Sequence, residues 1–386
     1  MTYANKLKVM TIVGTRPEII KLSQVIKVLD EETNHILVHT GQNYDYELNN
    51  IFFEDLKLRN PNYYLDAAGK TSTETISNVI IKVDEILEIE KPDAVLILGD
   101  TNSCLSVIAA KRRKIPIFHM EAGNRSFDER VPEEINRKIL DHISDINLPY
   151  SDIAREYLLK EGLSPDRIIK IGSPMAEVYY EHFKANSFIF PEKWTKDILE
   201  KFNLEKNKFY LFSLHREESI ENEKQINKLI NVLTWMDENL QYPIIFSTHP
   251  RTKNRLTTLG VIDSFKNIKF MKPFSLTEYV ALQINASIVF SDSGTISEET
   301  SLLQLKSLNL REAHERPEAM EEATVMMVGL DLERIKQGID ILNSGHGFSS
   351  YVADYTRHSI ASKVLKIIIS YTDYVKRNVW REEPHE

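Results

Sequence analysis

Short apolar runs separated by longer amphipathic stretches set the rhythm of this chain. In the first half the runs cover residues 8–13, 35–39, 94–98, 115–119, 146–148 and 168–171. In the second half they cover 209–214, 244–247, 268–271, 287–291, 307–310 and 324–328. They are rich in β-formers and mostly apolar at successive positions, as expected of strands in a parallel sheet covered on both faces. Between them lie helical patterns. Over 71–89, Ile76, Val79, Ile80, Val83, Ile86 and Leu87 recur with the spacing of one helix face. Alternating strands and helices predict an α/β architecture with right-handed crossovers.

A break is expected near 180–208, where residues 186–194 read as irregular and carry Pro191. With 386 residues the chain is long enough for two domains. The predicted division is 1–185 and 186–364, with a last helix near 359–377 and the terminal stretch 365–386 packing back on the first domain. The halves read as a loose duplication of one fold type, without a sequence repeat.

Composition narrows the function. Forty-eight basic against 57 acidic residues give a formal net charge of −9, which argues against a broad nucleic-acid surface but allows a local basic pocket. The single Cys104 excludes an intramolecular disulfide and a Cys-rich metal site. His35 and His39 fall in one predicted strand, about 13 Å apart and too far to share a metal. No Asp-x-Asp pair accompanies the candidate carboxylates, so no metal is expected. No apolar stretch approaches the ~20 residues that span a bilayer, and the N-terminus lacks a signal-peptide core. The expected compartment is the cytoplasm, with no membrane or nucleic-acid partner.

Ligands of open α/β sheets bind at the carboxyl ends of the strands, and polar residues cluster there in this sequence. The first-half runs lead into Gly14-Thr-Arg-Pro-Glu18 with Lys21, Thr40-Gly-Gln42, Gly99-Asp-Thr101 and His119-Met-Glu-Ala-Gly-Asn-Arg125. The second-half runs lead into His215-Arg-Glu, His249-Pro-Arg, Ser291-Asp-Ser-Gly294 and Arg311-Glu-Ala-His-Glu-Arg-Pro-Glu318. Two such rims facing each other predict a cleft between the domains. Arg16 and Lys21 near a helix start, and the small Ser293 and Gly294 before another, suit a phosphate. Glu298 or Glu299 would reach a ribose. Clustered Asp100, Glu121, Glu133 and Glu134 would serve as acid and base. His215 and His249, each with an arginine nearby, would contact phosphate or sugar, and Tyr279 would stack on a base. Each has a plainer alternative: helix caps and surface ion pairs for the carboxylates, structural histidines, and a core aromatic for Tyr279.

Taken in order, these segments resemble the non-hydrolysing UDP-N-acetylglucosamine 2-epimerases. The matching segments are Gly14-Thr-Arg-Pro-Glu18, Thr40-Gly-Gln42, Gly99-Asp-Thr101, His119-Met-Glu-Ala-Gly123, Pro132-Glu-Glu-Ile-Asn-Arg137, His215-Arg-Glu, Ser291-Asp-Ser-Gly294 and Glu315-Arg-Pro-Glu318. Each is weak alone, but eight in order are specific, and the similarity runs over about residues 7–365. The resemblance implies two Rossmann-like doubly wound domains of the glycosyltransferase-B type, with the active site between them. It implies inversion of C2 in a UDP-N-acetylhexosamine, without cofactor, by anti elimination of UDP and re-addition to a bound 2-acetamidoglycal. Asp100, Glu121, Glu133 and His215 match the catalytic positions. Arg16, Lys21, Ser293, Gly294, Glu299 and Arg316 match nucleotide and phosphate positions, and Gln42, Arg137, His249 and Tyr279 join the expected substrate contacts. A homodimer is implied as well.

Three departures bear on the substrate. The phosphate loop reads Gly294-Thr295 rather than Gly-Gly, Gln42 is followed by Asn43 rather than His, and His314 stands where Thr is usual. The first and third resemble the branch that converts UDP-2-acetamido-2,6-dideoxy-L-talose to UDP-N-acetyl-L-fucosamine for surface polysaccharide. The second affects a loop that helps some bacterial members bind an activating UDP-N-acetylglucosamine. The alternative substrate is UDP-N-acetylglucosamine, giving UDP-N-acetylmannosamine. More distant alternatives are a glycosyltransferase or a non-catalytic nucleotide-sugar binder on the same fold.

Overall fold

The structure, a computed structural model, describes residues 6–42, 52–184, 190, 192–214, 222–248, 250–345 and 350–382. It divides into two compact units, Met1–His182 with Ala353–Glu386, and Phe183–Val352. Each is built on a six-stranded, wholly parallel sheet.

In the first unit the strands are β1 (Lys8–Val13), β2 (Asn34–His39), β3 (Tyr63–Tyr64), β4 (Ala94–Leu98), β5 (Ile117–Met120) and β6 (Ile146–Leu148), in the order β3-β2-β1-β4-β5-β6. β4 and β5 are buried along their whole length, as their apolar runs require. Helices cover the sheet. Val83, Ile86 and Leu87 of helix Ser72–Glu90 join Met10, Ile12, Val95, Ile97 and Ile117 in one core. The C-terminal helix Ile360–Asn378 belongs to this unit and packs along helix Arg16–Glu32.

In the second unit the strands are β7 (Tyr210–Leu214), β8 (Ile244–Thr248), β9 (Ile268–Met271), β10 (Ile288–Ser291), β11 (Ser307–Asn309) and β12 (Met326–Met327). Their order is β12-β11-β10-β7-β8-β9. Counted from its own first strand, this is the order of the first unit, so the duplication lies in topology. Phe212 meets Phe246 edge to face at 4.7 Å between centroids and stacks on Phe290 at 6.0 Å across the sheet centre.

Three expectations fail locally. Residues 168–171 form no strand; Ile168 makes one isolated bridge to Asn147. The run at 324–328 shrinks to the two residues of β12. The expected irregular stretch ends earlier than predicted, because helix Glu192–Phe202 starts directly after Pro191. Trp194 stacks on Phe183 at 5.1 Å and anchors that start. No helix among the described residues is long and apolar enough to cross a membrane.

Candidate active site

Strand order reverses beside β1 and β4 in the first unit and beside β7 and β10 in the second. These are the positions where an open α/β sheet leaves a crevice at its carboxyl edge.

In the first unit the chain leaves β1 through Gly14 and Thr15 into helix Arg16–Glu32. A Cβ on Gly14 would lie 1.8 Å from Ser103 Oγ and 2.4 Å from Thr40 Oγ1, so only glycine lets the three rims meet. Glu18 is fully buried below this turn. One of its oxygens accepts the Gly14 amide (3.1 Å), the Thr15 amide (2.7 Å) and the Thr15 hydroxyl (2.7 Å). The other accepts the Thr101 hydroxyl at 3.0 Å, beside Asp100. Burial pushes Glu18 up to about 7 despite these donors.

Lys21 is buried one turn on, its ammonium 2.5 Å from Glu121 Oε2. Arg16, half-buried, lies 5.4 Å over the Phe52 ring. Asp100 follows Gly99, whose φ of +80° lets the chain turn off β4. Arg137 Nε donates to Asp100 Oδ2 at 2.7 Å and its Nη1 donates to Glu134 Oε2 at 2.8 Å. Asn136 Nδ2 holds the Asp100 carbonyl at 2.9 Å. Glu134 in turn accepts the Ser126 and Phe127 amides. Burial opposes its charge, but the Ser126 amide and Arg137 outweigh that and hold it below the ordinary carboxylate range.

Glu121, just past β5, has a left-handed φ of +68°, unusual for a residue with a side chain. Glu133, on the first turn of helix Pro132–Ile143, is half-buried; its Oε2 is buried without a hydrogen-bond partner among the described residues. Gln42 accepts the Ser103 amide and hydroxyl at 3.0 and 2.9 Å, so its carbonyl ties two rims together. Lys21 and Arg137, expected at the substrate, thus hold the carboxylates Glu121 and Asp100.

In the second unit the loop after β10 leads through Ser293, Gly294 and Thr295 into helix Ile296–Leu303. Thr295 Oγ1 lies 2.8 Å from Ser293 Oγ and donates to Glu299 Oε1 at 2.6 Å. Gln283 Nε2 donates to Glu299 Oε2 at 2.5 Å. A Cβ on Gly294 would lie 2.3 Å from Glu315 Oε1, and Glu315 pairs with Arg311 at 2.6 Å. Arg316, buried, pairs with Glu298 at 3.2 Å. Tyr279 is half-buried on helix Leu276–Asn285 with its hydroxyl turned inward; burial and then Glu299 push that hydroxyl well up. His314 is held below its ordinary value by burial, against the pull of Glu315. His215 and His249 lie outside the described residues.

Sequence reasoning assigned no role to Glu18, His119, Arg125 or Asp141. One signal was present. Glu134, Arg137 and Asp141 stand at i, i+3 and i+7 on helix Pro132–Ile143, a polar stripe that the structure buries, while Ile135 and Ile139 of the same helix are exposed. Amphipathicity running backwards marks a face turned to a site. Among the described residues no group of three or more His, Cys, Asp or Glu could hold a metal.

The chain matches, over residues 27–369, the profile of a family described as UDP-N-acetylglucosamine 2-epimerase. It is 36% identical over 345 residues to the UDP-N-acetylglucosamine 2-epimerase of Methanocaldococcus jannaschii, covering 87% of this chain and 92% of that one. The solved structure of UDP-N-acetylglucosamine 2-epimerase from Rickettsia bellii superposes with a TM-score of 0.88 at 49% identity, covering 98% of this chain and all of that one. A Methanocaldococcus jannaschii UDP-GlcNAc 2-epimerase, solved in complex with UDP-GlcNAc and UDP, superposes with a TM-score of 0.85 at 33% identity, covering 94% of this chain and all of that one.

Proposed function

The chain belongs to the UDP-N-acetylglucosamine 2-epimerase family, an isomerase acting at C2 of a UDP-sugar, and on that premise we propose how its residues divide the reaction. The first unit handles the proton. The observation that carries this is the placement of Asp100 and Glu121 at the ends of the adjacent strands β4 and β5, each against a cation of its own unit, Arg137 and Lys21. A base takes the C2 hydrogen as a proton while the C1–oxygen bond to UDP breaks. UDP departs as an anion and leaves a 2-acetamidoglycal. UDP then re-adds at C1, and a proton reaches C2 on the opposite face. Two faces need two proton-handling groups, which Asp100, Glu121 and Glu133 supply. His215 and the arginines stabilise the departing diphosphate.

The second unit holds UDP. Ser293 and Gly294 meet the phosphates at the start of helix Ile296–Leu303, Glu299 meets the ribose, Arg316 and His249 complete the anion site, and Tyr279 stacks on the base. The assembly is a homodimer.

The favoured substrate is UDP-2-acetamido-2,6-dideoxy-L-talose, giving UDP-N-acetyl-L-fucosamine. Support comes from Thr295, which is bonded to both Ser293 and Glu299 and so is built into the loop. UDP-N-acetylglucosamine is the second reading, favoured by the family's description and by the names of the relatives. NMR product analysis with the two nucleotides side by side tests the choice. A higher kcat/KM for the 6-deoxy-L-talose nucleotide supports it, and a higher value for UDP-N-acetylglucosamine overturns it while leaving C2 chemistry intact.

A further inference from the structure

Behind the two carboxylate-bearing loops of the first unit lies a buried charge network that the proposed chemistry does not use. His119, the third residue of β5, is 1% exposed. Its Nε2 lies 2.8 Å from the Gly99 carbonyl and its Nδ1 lies 3.0 Å from Asp141 Oδ1. Burial works against a charge on the ring, but Asp141 and the Gly99 carbonyl, both acceptors, outweigh it and hold the ring above its ordinary value. Asp141, wholly buried on helix Pro132–Ile143, receives more than this one donor. Its carboxylate accepts the Gly123 amide at 3.1 Å and Arg125 Nη1 at 2.6 Å. Arg125 continues outward to Glu161 through two bonds of 2.8 and 2.7 Å. Cations and anions alternate along the chain, so the burial of each charge is balanced by its neighbours.

The backbone atoms held by this network define the site. Gly99 precedes Asp100, and His119 grips its carbonyl. Gly123 stands two residues beyond Glu121, and Asp141 grips its amide. Between them Glu121 keeps a left-handed backbone, with its amide on the Leu148 carbonyl at 3.2 Å. A Cβ on Gly123 would fall 2.4 Å from the Ala154 carbonyl oxygen, so the turn has no slack on its outer side. Such a conformation persists only where its surroundings impose it.

We propose that the buried His119–Asp141 pair is the positioning element of this reaction, clamping the Gly99–Asp100 and Glu121–Gly123 turns to each other and so fixing the spacing of the two carboxylates. It touches no substrate and acts through Asp100 and Glu121; the inference rests on the reading that these two handle the C2 proton from opposite faces. A loosened clamp changes how protonation divides between the faces, beyond slowing it. Protonation on the original face returns substrate, and protonation on the other gives epimer. In D2O the ratio of deuterium in recovered substrate to deuterium in epimer therefore reports the spacing, whereas loss of folded enzyme lowers both equally.

The test uses Asp141→Asn and, as a second variant should that one fold poorly, His119→Gln, which keeps one donor for the Gly99 carbonyl. Initial-rate kinetics, deuterium partitioning by NMR and UDP calorimetry are compared with wild type. Displacement of a reacting group by about 1 Å predicts a kcat lower by about 10-fold to 100-fold. KM should stay within about threefold, and the deuterium ratio should shift by about threefold or more. UDP affinity should be unchanged. An unchanged ratio with a lowered kcat overturns the clamp and leaves a folding role. A wild-type enzyme that exchanges no C2 hydrogen overturns the underlying reading, and the clamp with it.

Discussion

Lys21 Nζ and Glu121 Oε2 are 2.5 Å apart across one hundred residues of sequence, and both side chains are almost sealed from solvent. The pair joins the helix that starts the chain's first crossover to the strained turn after β5. Removing one partner from a buried ion pair leaves the other charge uncompensated, at a cost of about 3–5 kcal/mol, while removing both is far milder. Lys21→Met and Glu121→Gln should each lower the melting temperature, and the double variant should be more stable than their summed losses predict. Thermal denaturation of all four proteins measures the coupling, and strict additivity contradicts it. All three variants should lose turnover.

Glu18 makes stability depend on pH. Its native pKa of about 7 lies above the ordinary value of 4.5. Below 4.5 both states are protonated and nothing is lost. Between 4.5 and 7 the native state holds the proton more tightly than the unfolded state, so its contribution to stability falls as pH rises and is flat above 7. The full drop is about 3 kcal/mol. His39, which burial brings down to about 4, acts in the opposite sense over a similar range, so the wild-type curve mixes the two. Glu18→Gln isolates the first. Its melting temperature relative to wild type should climb from pH 4.5 to 7 and then level off; a constant difference would contradict the assignment.

Gly294 lets the Glu315–Arg311 pair close over the loop after β10. Gly294→Ala places a methyl group 2.3 Å from Glu315 Oε1 and forces that carboxylate aside. Overpacking of this kind costs about 1–3 kcal/mol. Calorimetry should show weaker UDP binding in a folded variant, and wild-type affinity would mean the loop does not meet the nucleotide.

Thr295 is the clearest handle on sugar choice. Thr295→Gly removes the hydroxyl that bonds Ser293 and Glu299. If the loop is shaped for a 6-deoxy-L sugar, the ratio of kcat/KM values for the two nucleotides should move toward UDP-N-acetylglucosamine by about tenfold or more, the discrimination that one methyl or hydroxyl in a pocket supplies. An unmoved ratio would make Thr295 irrelevant to the choice.

Strands β1 and β4 were legible to the residue, because burial on both faces demands an almost unbroken apolar run; β9 matched its run as well, although its Lys269 is exposed. β3 was not: Tyr63–Tyr64 pairs only with β2, and two amphipathic residues carry no periodic signal. Residues 168–171 misled for the converse reason, being apolar enough for a strand yet making one isolated bridge, Ile168 to Asn147, and two single backbone bonds, to the Asn147 and Pro149 carbonyls. At the site, the rim residues stood out because polar residues follow the apolar runs directly. Their pairing did not. Arg137 meets Asp100 across 37 positions, and Asp141 meets Gly123 and His119 from a helix that would ordinarily bury its isoleucines. Such partners are set by the crossing of helix and strand in space, which no local pattern encodes.

The elimination route is tested most directly by turnover of the UDP-N-acetylhexosamine in D2O, with C2 followed by NMR. Removal and return of a proton predicts that every epimer formed from protiated substrate carries deuterium at C2. Epimer that retains its original C2 hydrogen would contradict the account.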